Sequence, residues 1–273
     1  MPSAIEYWKR RVEAHHAQSI KAQGPQEQPS DFWKGLTSQF TTDPHRTDDP
    51  VLNKLLVGVT SDTTVLDVGG GAGRFALPLA LNCKHVTVVE PSESMVDALR
   101  EGTKEAGIEN LSIVRNEWQD ASVDPADTVL CAHVLCGTAE IEPFMRKLDS
   151  HARERVKIVS FMDSPMSQVS LLWEQIHGEQ RINLPALPEM LNVLWEMDIY
   201  PDVEMVGTAD LRSVPNRDDA VKMLRKFLYV KSDTEMDARL LELLDEHLEE
   251  TPTGLVIKGS RPRRQALVSW TPK

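Results

Sequence analysis

The stretch VLDVGGGAGRF, Val65 to Phe75, decides how this chain is read. Its first four residues form an apolar run broken by one acid, as in a strand buried on both faces. Gly69, Gly70, Gly71 and Gly73 follow at once, and a helical pattern begins beside them. Glycine accepts positive φ and lets a ligand come close to the backbone. A glycine turn between strand and helix aims unpaired N–H groups, and the positive end of the helix, at the carboxyl edge of the sheet. A bare turn needs one or two glycines rather than four, so Gly69–Gly73 is read as a cofactor loop.

The alternation continues outward from there. Candidate strands lie at Thr64–Val68, His85–Val89, Leu111–Val114, Thr128–Ala132 and Val156–Phe161, with candidate helices at Gly73–Asn82, Glu93–Gly107 and Ile141–Ala152. This spacing predicts right-handed βαβ units and an α/β fold: a doubly wound, mostly parallel, Rossmann-like sheet. After Phe161 the alternation stops. Ser164 is expected to N-cap a helix with Pro165 at its first position and Gly178 past its end. LPEMLNVLWEMD (187–198) predicts another helix, Asp202–Val206 a strand, and Arg217–Val230 and Thr234–Glu250 two more helices. Met236, Leu240, Leu244 and Leu248 would stripe the last of these. RQALVSW, Arg264–Trp270, reads as a closing strand. Upstream, Ile5, Trp8 and Val12 pattern a helix over Ile5–Gln18, QGPQEQPSD (23–31) is a loop, Phe32–Phe40 a short helix, and Asp49-Pro50 opens a helix over Val51–Val59.

With 273 residues, 41% hydrophobic and a net charge of -12, the composition suits a globular protein. The acidity argues against a non-specific nucleic-acid binder, which needs a basic face. Cys83, Cys131 and Cys136 cannot all pair with one another, so a reduced, cytoplasmic chain is expected. The N-terminus lacks an apolar signal core, and no run of about 18 apolar residues predicts a membrane span. Cys131-x-His133-x-x-Cys136 has no second ligand cluster beside it and reads as structural, with no metal expected.

The cofactor class follows from the loop's own spacing. A dinucleotide fingerprint, G-x-G-x-x-G, fits Gly69 and Gly71 but then meets Arg74. Asp67, at the strand end, would repel a pyrophosphate. It would attract a ligand that carries an amine and a sulfonium.

At this point the chain resembles the class I S-adenosylmethionine-dependent methyltransferases. LDVGGGAGR is similar to their first motif and VTVVEPSESM (86–95), a strand closing on Glu90, to their second. VRNEWQDA (114–121) is similar to the third, and ADTVLCAHVLCGT (126–138) to the fourth. The likeness covers roughly residues 50–160. It implies S-adenosylmethionine as cofactor, cradled by Asp67, Gly69, Gly70, Gly71 and Gly73. Glu90, beside Pro91 and Met95, would accept the ribose hydroxyls; Asn116, Glu117 and Trp118 would surround the adenine; Ala132 and His133 would floor the methyl-donor site. Asn116-Glu117 departs from the Gly-Asp frequent in the third motif. The likeness also implies seven strands with an antiparallel last one, RQALVSW.

The implied organisation is a helical cap over 1–50 and a methyltransferase domain over 51–273. That domain would carry a helical insertion at about 163–200 and extra helices at about 215–250. The implied reaction is methyl transfer to a small-molecule acceptor by in-line displacement, which needs positioning and dryness more than a base. His133 is the candidate catalytic base, or else lines the pocket. Asp163 would meet a substrate amine or sit at a helix start, Glu140 would begin the helix after the fourth strand, and Arg74 would steer an anionic group or lie in solvent. Arg261–Arg264 (RPRR) would bind an anion or form a solvated turn. The alternatives are a non-catalytic protein that binds the same cofactor and, against Asp67 and Arg74, an NAD-dependent oxidoreductase. The acceptor atom and the oligomeric state are left open.

Overall fold

The computed structural model describes residues 2–24, 31–164, 167–209 and 213–273. Pro165 and Met166, part of the expected helix start, and most of the expected loop at 23–31 lie outside the described residues. The chain opens on α1 (Ala4–Gln23), capped by Ser3, whose hydroxyl accepts from Glu6 N. Then come α2 (Pro50–Leu55), β1 (Thr64–Val68), α3 (Ala76–Ala80), β2 (His85–Val89), α4 (Glu93–Glu105), β3 (Leu111–Val114), β4 (Ala126–Ala132), α5 (Ile141–His151) and β5 (Ala152–Phe161). α6 (Ser167–His177), α7 (Leu187–Glu196), β6 (Asp202–Ala209), α8 (Arg217–Leu228), α9 (Glu235–His247), the hairpin β7 (Leu248–Thr251) and β8 (Gly254–Ile257), and β9 (Arg263–Trp270) complete it.

Seven strands form one sheet in the order β3-β2-β1-β4-β5-β9-β6. β1 to β5 run parallel, and β9 runs antiparallel to both β5 and β6. β9 therefore wedges between its neighbours instead of closing an edge. Parallel registry pairs Val68 with Val89 and Val89 with Val114, so the tips of β1, β2 and β3 lie level. The expected α/β architecture and the antiparallel final strand are both present.

Alternation along each strand feeds two core layers. Leu66, Val68, Val129 and Cys131 face a layer completed by α1, α5 and α7. Val65, Val86, Val88 and Leu130 face α2, α3 and α4. A third cluster joins α6, α8, α9 and Ile257 of β8. The two helices after β5 thus part company: α7 packs beside α1 on the main core, whereas α6 packs into the third cluster.

Several elements differ from their sequence patterns for local reasons. The helix expected at Gly73–Asn82 shrinks to α3 because Gly73 has φ +87 and belongs to the turn. α2 stops short of Val59, and the chain turns at Gly58 with φ 80. The helix expected at Thr234–Glu250 ends at His247; Leu248 leaves the stripe and pairs with Ile257. Phe32–Phe40 forms turns and a single 3₁₀ turn at Thr37–Gln39. α8 ends where Tyr229 turns left-handed at φ 55. Ser164 Oγ is buried without a hydrogen-bond partner; its carbonyl, not its hydroxyl, accepts from Ser167 N.

Candidate active site

The glycine loop leaves the tip of β1 and is stitched to β2, where Gly69 N donates to Val89 O at 2.7 Å. Gly69, Gly71 and Gly73 all have positive φ, at 73, 56 and 87°. Space separates the four glycines by role. A Cβ at Gly69 would lie 2.4 Å from Val134 Cγ2, one at Gly70 2.7 Å from Val88 Cγ1, and one at Gly73 2.5 Å from Leu99 Cδ1. Packing accounts for these three. A Cβ at Gly71 would meet only Met95 Sδ, at 4.0 Å. Gly71 is thus favoured by its left-handed backbone but not by packing, and the space beside it is open.

Two carboxylates flank that position. Asp67 is 2% exposed beneath the loop, and Glu90, at the tip of β2, is 6% exposed. Glu90 Oε2 accepts from Gly71 N and Oε1 from Ser92 N, each at 2.9 Å. Each oxygen keeps a second lone pair. Burial, then the charge of Glu90, pushes the Asp67 pKa up to about 7. Burial also raises that of Glu90, against the bonds from Ser92 and Gly71. Two like charges held in low dielectric form a cation-seeking site. Met95, expected at the cradle, is buried on the first turn of α4. Pro91 follows Glu90 at the exposed rim.

The third-motif residues part. Asn116 and Glu117 are exposed at the tip of β3, with Asn116 Oδ1 accepting from Glu117 N at 2.9 Å. Trp118 turns inward and is 3% exposed, with its ring against Phe144, His151 and the Lys147 ammonium.

His133 follows Ala132 at the tip of β4. Its N–H donates to Val159 O at 2.9 Å, and the chain then turns left-handed at φ 62. The imidazole stacks on Phe161 with centroids 4.1 Å apart, and both ring nitrogens are buried without a hydrogen-bond partner. Burial first, then the charges of Arg74 and Arg263 against that of Asp49, drives its pKa down to about 3. The ring is therefore neutral near pH 7. It borders a small crevice that Trp8, Val134, Phe161, Asp163 and Ala186 also line.

Two acids ahead of α2 reach the rim of the cradle. Asp31 accepts from Ser92 Oγ at 2.9 Å and Ser94 N at 2.8 Å. Burial opposes its charge, but the bonds from Ser94 and Ser92 prevail and hold its pKa at about 2. Asp49 caps α2 through Val51 N and Leu52 N, and its other oxygen accepts from Arg46 at 3.1 Å and Arg74 at 3.3 Å. Of these, only the Asp49-Pro50 pair carried a sequence signal. Glu140 lies at the start of α5 and pairs with Lys9 of α1. Among the described residues, no group of three or more His, Cys, Asp or Glu side chains is placed to hold a metal ion, and no helix is long and apolar enough to cross a membrane.

An open sheet whose first strand ends in a glycine cradle between two buried carboxylates defines a Rossmann-like cofactor-binding protein. Residues 65–155 match the family model described as "Methyltransferase domain". Over that segment the chain is similar to methyltransferase domains. An uncharacterized protein from Haemophilus influenzae is 28% identical over 157 residues, 56% of each chain. The ribosomal RNA small subunit methyltransferase G of Mycolicibacterium gilvum is 40% identical over 91 residues, 30% of this chain and 40% of that one. The chain thus spans about half the length of the curated relatives it matches, or less. Among solved structures, YjhP from E. coli shares the fold at a TM-score of 0.54 and 15% identity, covering 88% of this chain and 98% of that one.

Proposed function

We propose that this chain transfers a methyl group from S-adenosylmethionine to a small-molecule acceptor held at the tips of β4 and β5. The observation that carries this is the bare Gly71 between Asp67 and Glu90: a backbone opening with room for a ligand, set in a cation-seeking pair. The donor set fits the cofactor. Glu90 would take the ribose hydroxyls on its free lone pairs, Asp67 would offset the amine and sulfonium, and Asn116 and Glu117 would edge the adenine. A diphosphate would meet the same two carboxylates and be repelled.

When bound, the cofactor supplies an electrophilic methyl group. The protein's part is positional. Val134, packed on Gly69, couples the cradle to the crevice. Trp8 and Ala186 line that crevice, and His133 would present a neutral imidazole to the acceptor. A crevice this narrow, on a chain of net charge -12, supports a small acceptor over a nucleic acid.

Calorimetry with S-adenosylhomocysteine and NAD side by side tests the cofactor. Binding of NAD alone sinks the proposal. Transfer of labelled methyl into a metabolite extract tests the acceptor. Label that enters only RNA or protein overturns the small-molecule assignment, and binding without transfer favours a non-catalytic role.

A further inference from the structure

Asp31 stands 61 residues ahead of Ser92, yet the two are hydrogen-bonded. The Ser92 hydroxyl donates to Asp31 Oδ1 at 2.9 Å, and Ser94 N donates to Oδ2 at 2.8 Å. Asp31 Oδ1 also accepts from Trp33 N at 3.0 Å. The carboxylate thus occupies the N-terminus of α4, whose unpaired N–H groups and positive end favour an anion. Ser92 turns its other groups to the cradle. Its N–H donates to Glu90 Oε1 at 2.9 Å, and its hydroxyl oxygen accepts from Met95 N at 3.2 Å. Ser92 therefore joins two carboxylates through two donors, its hydroxyl to Asp31 and its N–H to Glu90.

The residues that follow Asp31 are held by a different part of the fold. Lys226 of α8 donates to Phe32 O at 2.5 Å, and its ammonium lies 4.8 Å from the Phe32 ring centroid. Phe32 also meets Phe227, with ring centroids 6.3 Å apart, and Leu36 is buried in the cluster of α6, α8 and α9. Asp31 thus sits between two anchors, the third cluster on one side and the start of α4 on the other. Gly71 N fixes Glu90 Oε2 without help from Ser92. A carboxylate held at one oxygen still turns about its last torsion, which has no sharp minimum of its own. The second bond, from Ser92 N to Oε1, sets the carboxyl plane and hence where its free lone pairs point.

We propose that Asp31 is a positioning residue for the cofactor. By holding Ser92 it fixes Glu90 with its free lone pairs turned to the ribose hydroxyls, and it makes that grip depend on the docking of residues 31–36 against α8. This rests on the methyltransferase reading above. Ser92, Ser94 and Trp33 already engage the Asp31 carboxylate, so it acts through Ser92 rather than on the ligand. A tie that only steadied the loop would change stability without changing how Glu90 binds.

The test is a double-mutant cycle on the full-length chain, with S-adenosylhomocysteine as the probe in calorimetry and the amide spectrum of ¹⁵N-labelled protein beside it. Asp31→Asn should weaken S-adenosylhomocysteine about tenfold in wild type, but by no more than about twofold in a Glu90→Gln background. The Ser92 amide proton should lose its downfield, carboxylate-bonded shift in Asp31→Asn, as it does in Glu90→Gln. Lys226→Met, on the α8 side, should reproduce a smaller part of the loss, about threefold. If Asp31→Asn folds poorly, Ser92→Ala reads the same coupling to Glu90, since it removes the hydroxyl that Asp31 holds. Losses that simply add across the cycle reduce Asp31 to a structural tie and overturn the proposal. Tighter binding by Asp31→Asn overturns it too, because the segment would then obstruct the cradle. So does a Ser92 amide that stays in place in Asp31→Asn. If S-adenosylhomocysteine fails to bind wild type while the Ser92 amide still shifts, the cofactor reading falls and the tie between Asp31 and Glu90 stands.

Discussion

The two halves of the site are built on opposite electrostatic plans. Around β1 and β2, buried carboxylates face a glycine loop, and burial drives their pKa values up. Around β4, β5 and β9, a buried imidazole lies among arginines, and its pKa is driven down to about 3. The first half gathers buried carboxylates, and the second surrounds a buried imidazole with positive charge.

The glycines give the sharpest way to break this comparison. Gly73→Val should cost about 3 kcal/mol or more, since its Cβ would enter Leu99 and Leu77 at a backbone φ of +87. Gly71→Ala should lose only about 1–2 kcal/mol for left-handed backbone, yet weaken S-adenosylhomocysteine about 100-fold, because its Cβ would stand in the cradle. Urea unfolding and calorimetry on the two variants read the contrast. If Gly71→Ala binds normally, the cradle is misplaced.

The opposite fields predict opposite pH responses. Asp67 has its pKa raised from 3.8 to about 7, so its contribution to stability is fully present below 3.8 and is lost as pH rises through about 7. A cationic cofactor favours the charged carboxylates, so binding should release protons and tighten as pH rises across that window. Calorimetry in two buffers of different ionisation heat measures the release. Glu90→Gln should shrink it and weaken binding about tenfold or more.

His133 has the reverse sign. Its pKa falls from 6.5 to about 3, so the unfolded chain binds the extra proton and stability is lost as pH drops through that interval. His133→Asn, which tolerates the left-handed φ, should flatten the acid limb of Tm against pH by a change worth about 1–3 kcal/mol at pH 4. His15, lowered to about 4, keeps part of the slope in the variant. An unchanged limb would show that His133 does not titrate as its burial demands.

The two halves were also unequally legible. The cradle could be read because its requirements are consecutive: a strand, an acid, glycines at set spacing, and a second acid at the next strand tip. The crevice could not, because Trp8, His133, Asp163 and Ala186 meet only through tertiary packing. His133 was found because it ends an apolar strand, but its orphaned nitrogens depend on Phe161 and on Arg263, far along the chain. Asp31 carried no signal at all, since an acid in a polar loop gives no sign that Ser92 and Ser94 await it. Leu248 misled for a related reason: its i, i+4 spacing continues the helical stripe, while pairing with Ile257 of β8 takes it into a strand.

Trp118 offers the smallest effect and the finest test of where the cradle ends. Motif spacing assigns it to the adenine pocket beside Glu117, yet its ring lies against Phe144 and His151 under α5. Its Nε1 donates only a long bond, 3.4 Å, to Phe144 O. Trp118→Phe should therefore cost about 1–2 kcal/mol of stability through lost packing and the lost indole donor. S-adenosylhomocysteine affinity should stay within about twofold. A tenfold loss of affinity with little loss of stability would return Trp118 to the cofactor and move the boundary between the halves one residue deeper into the core.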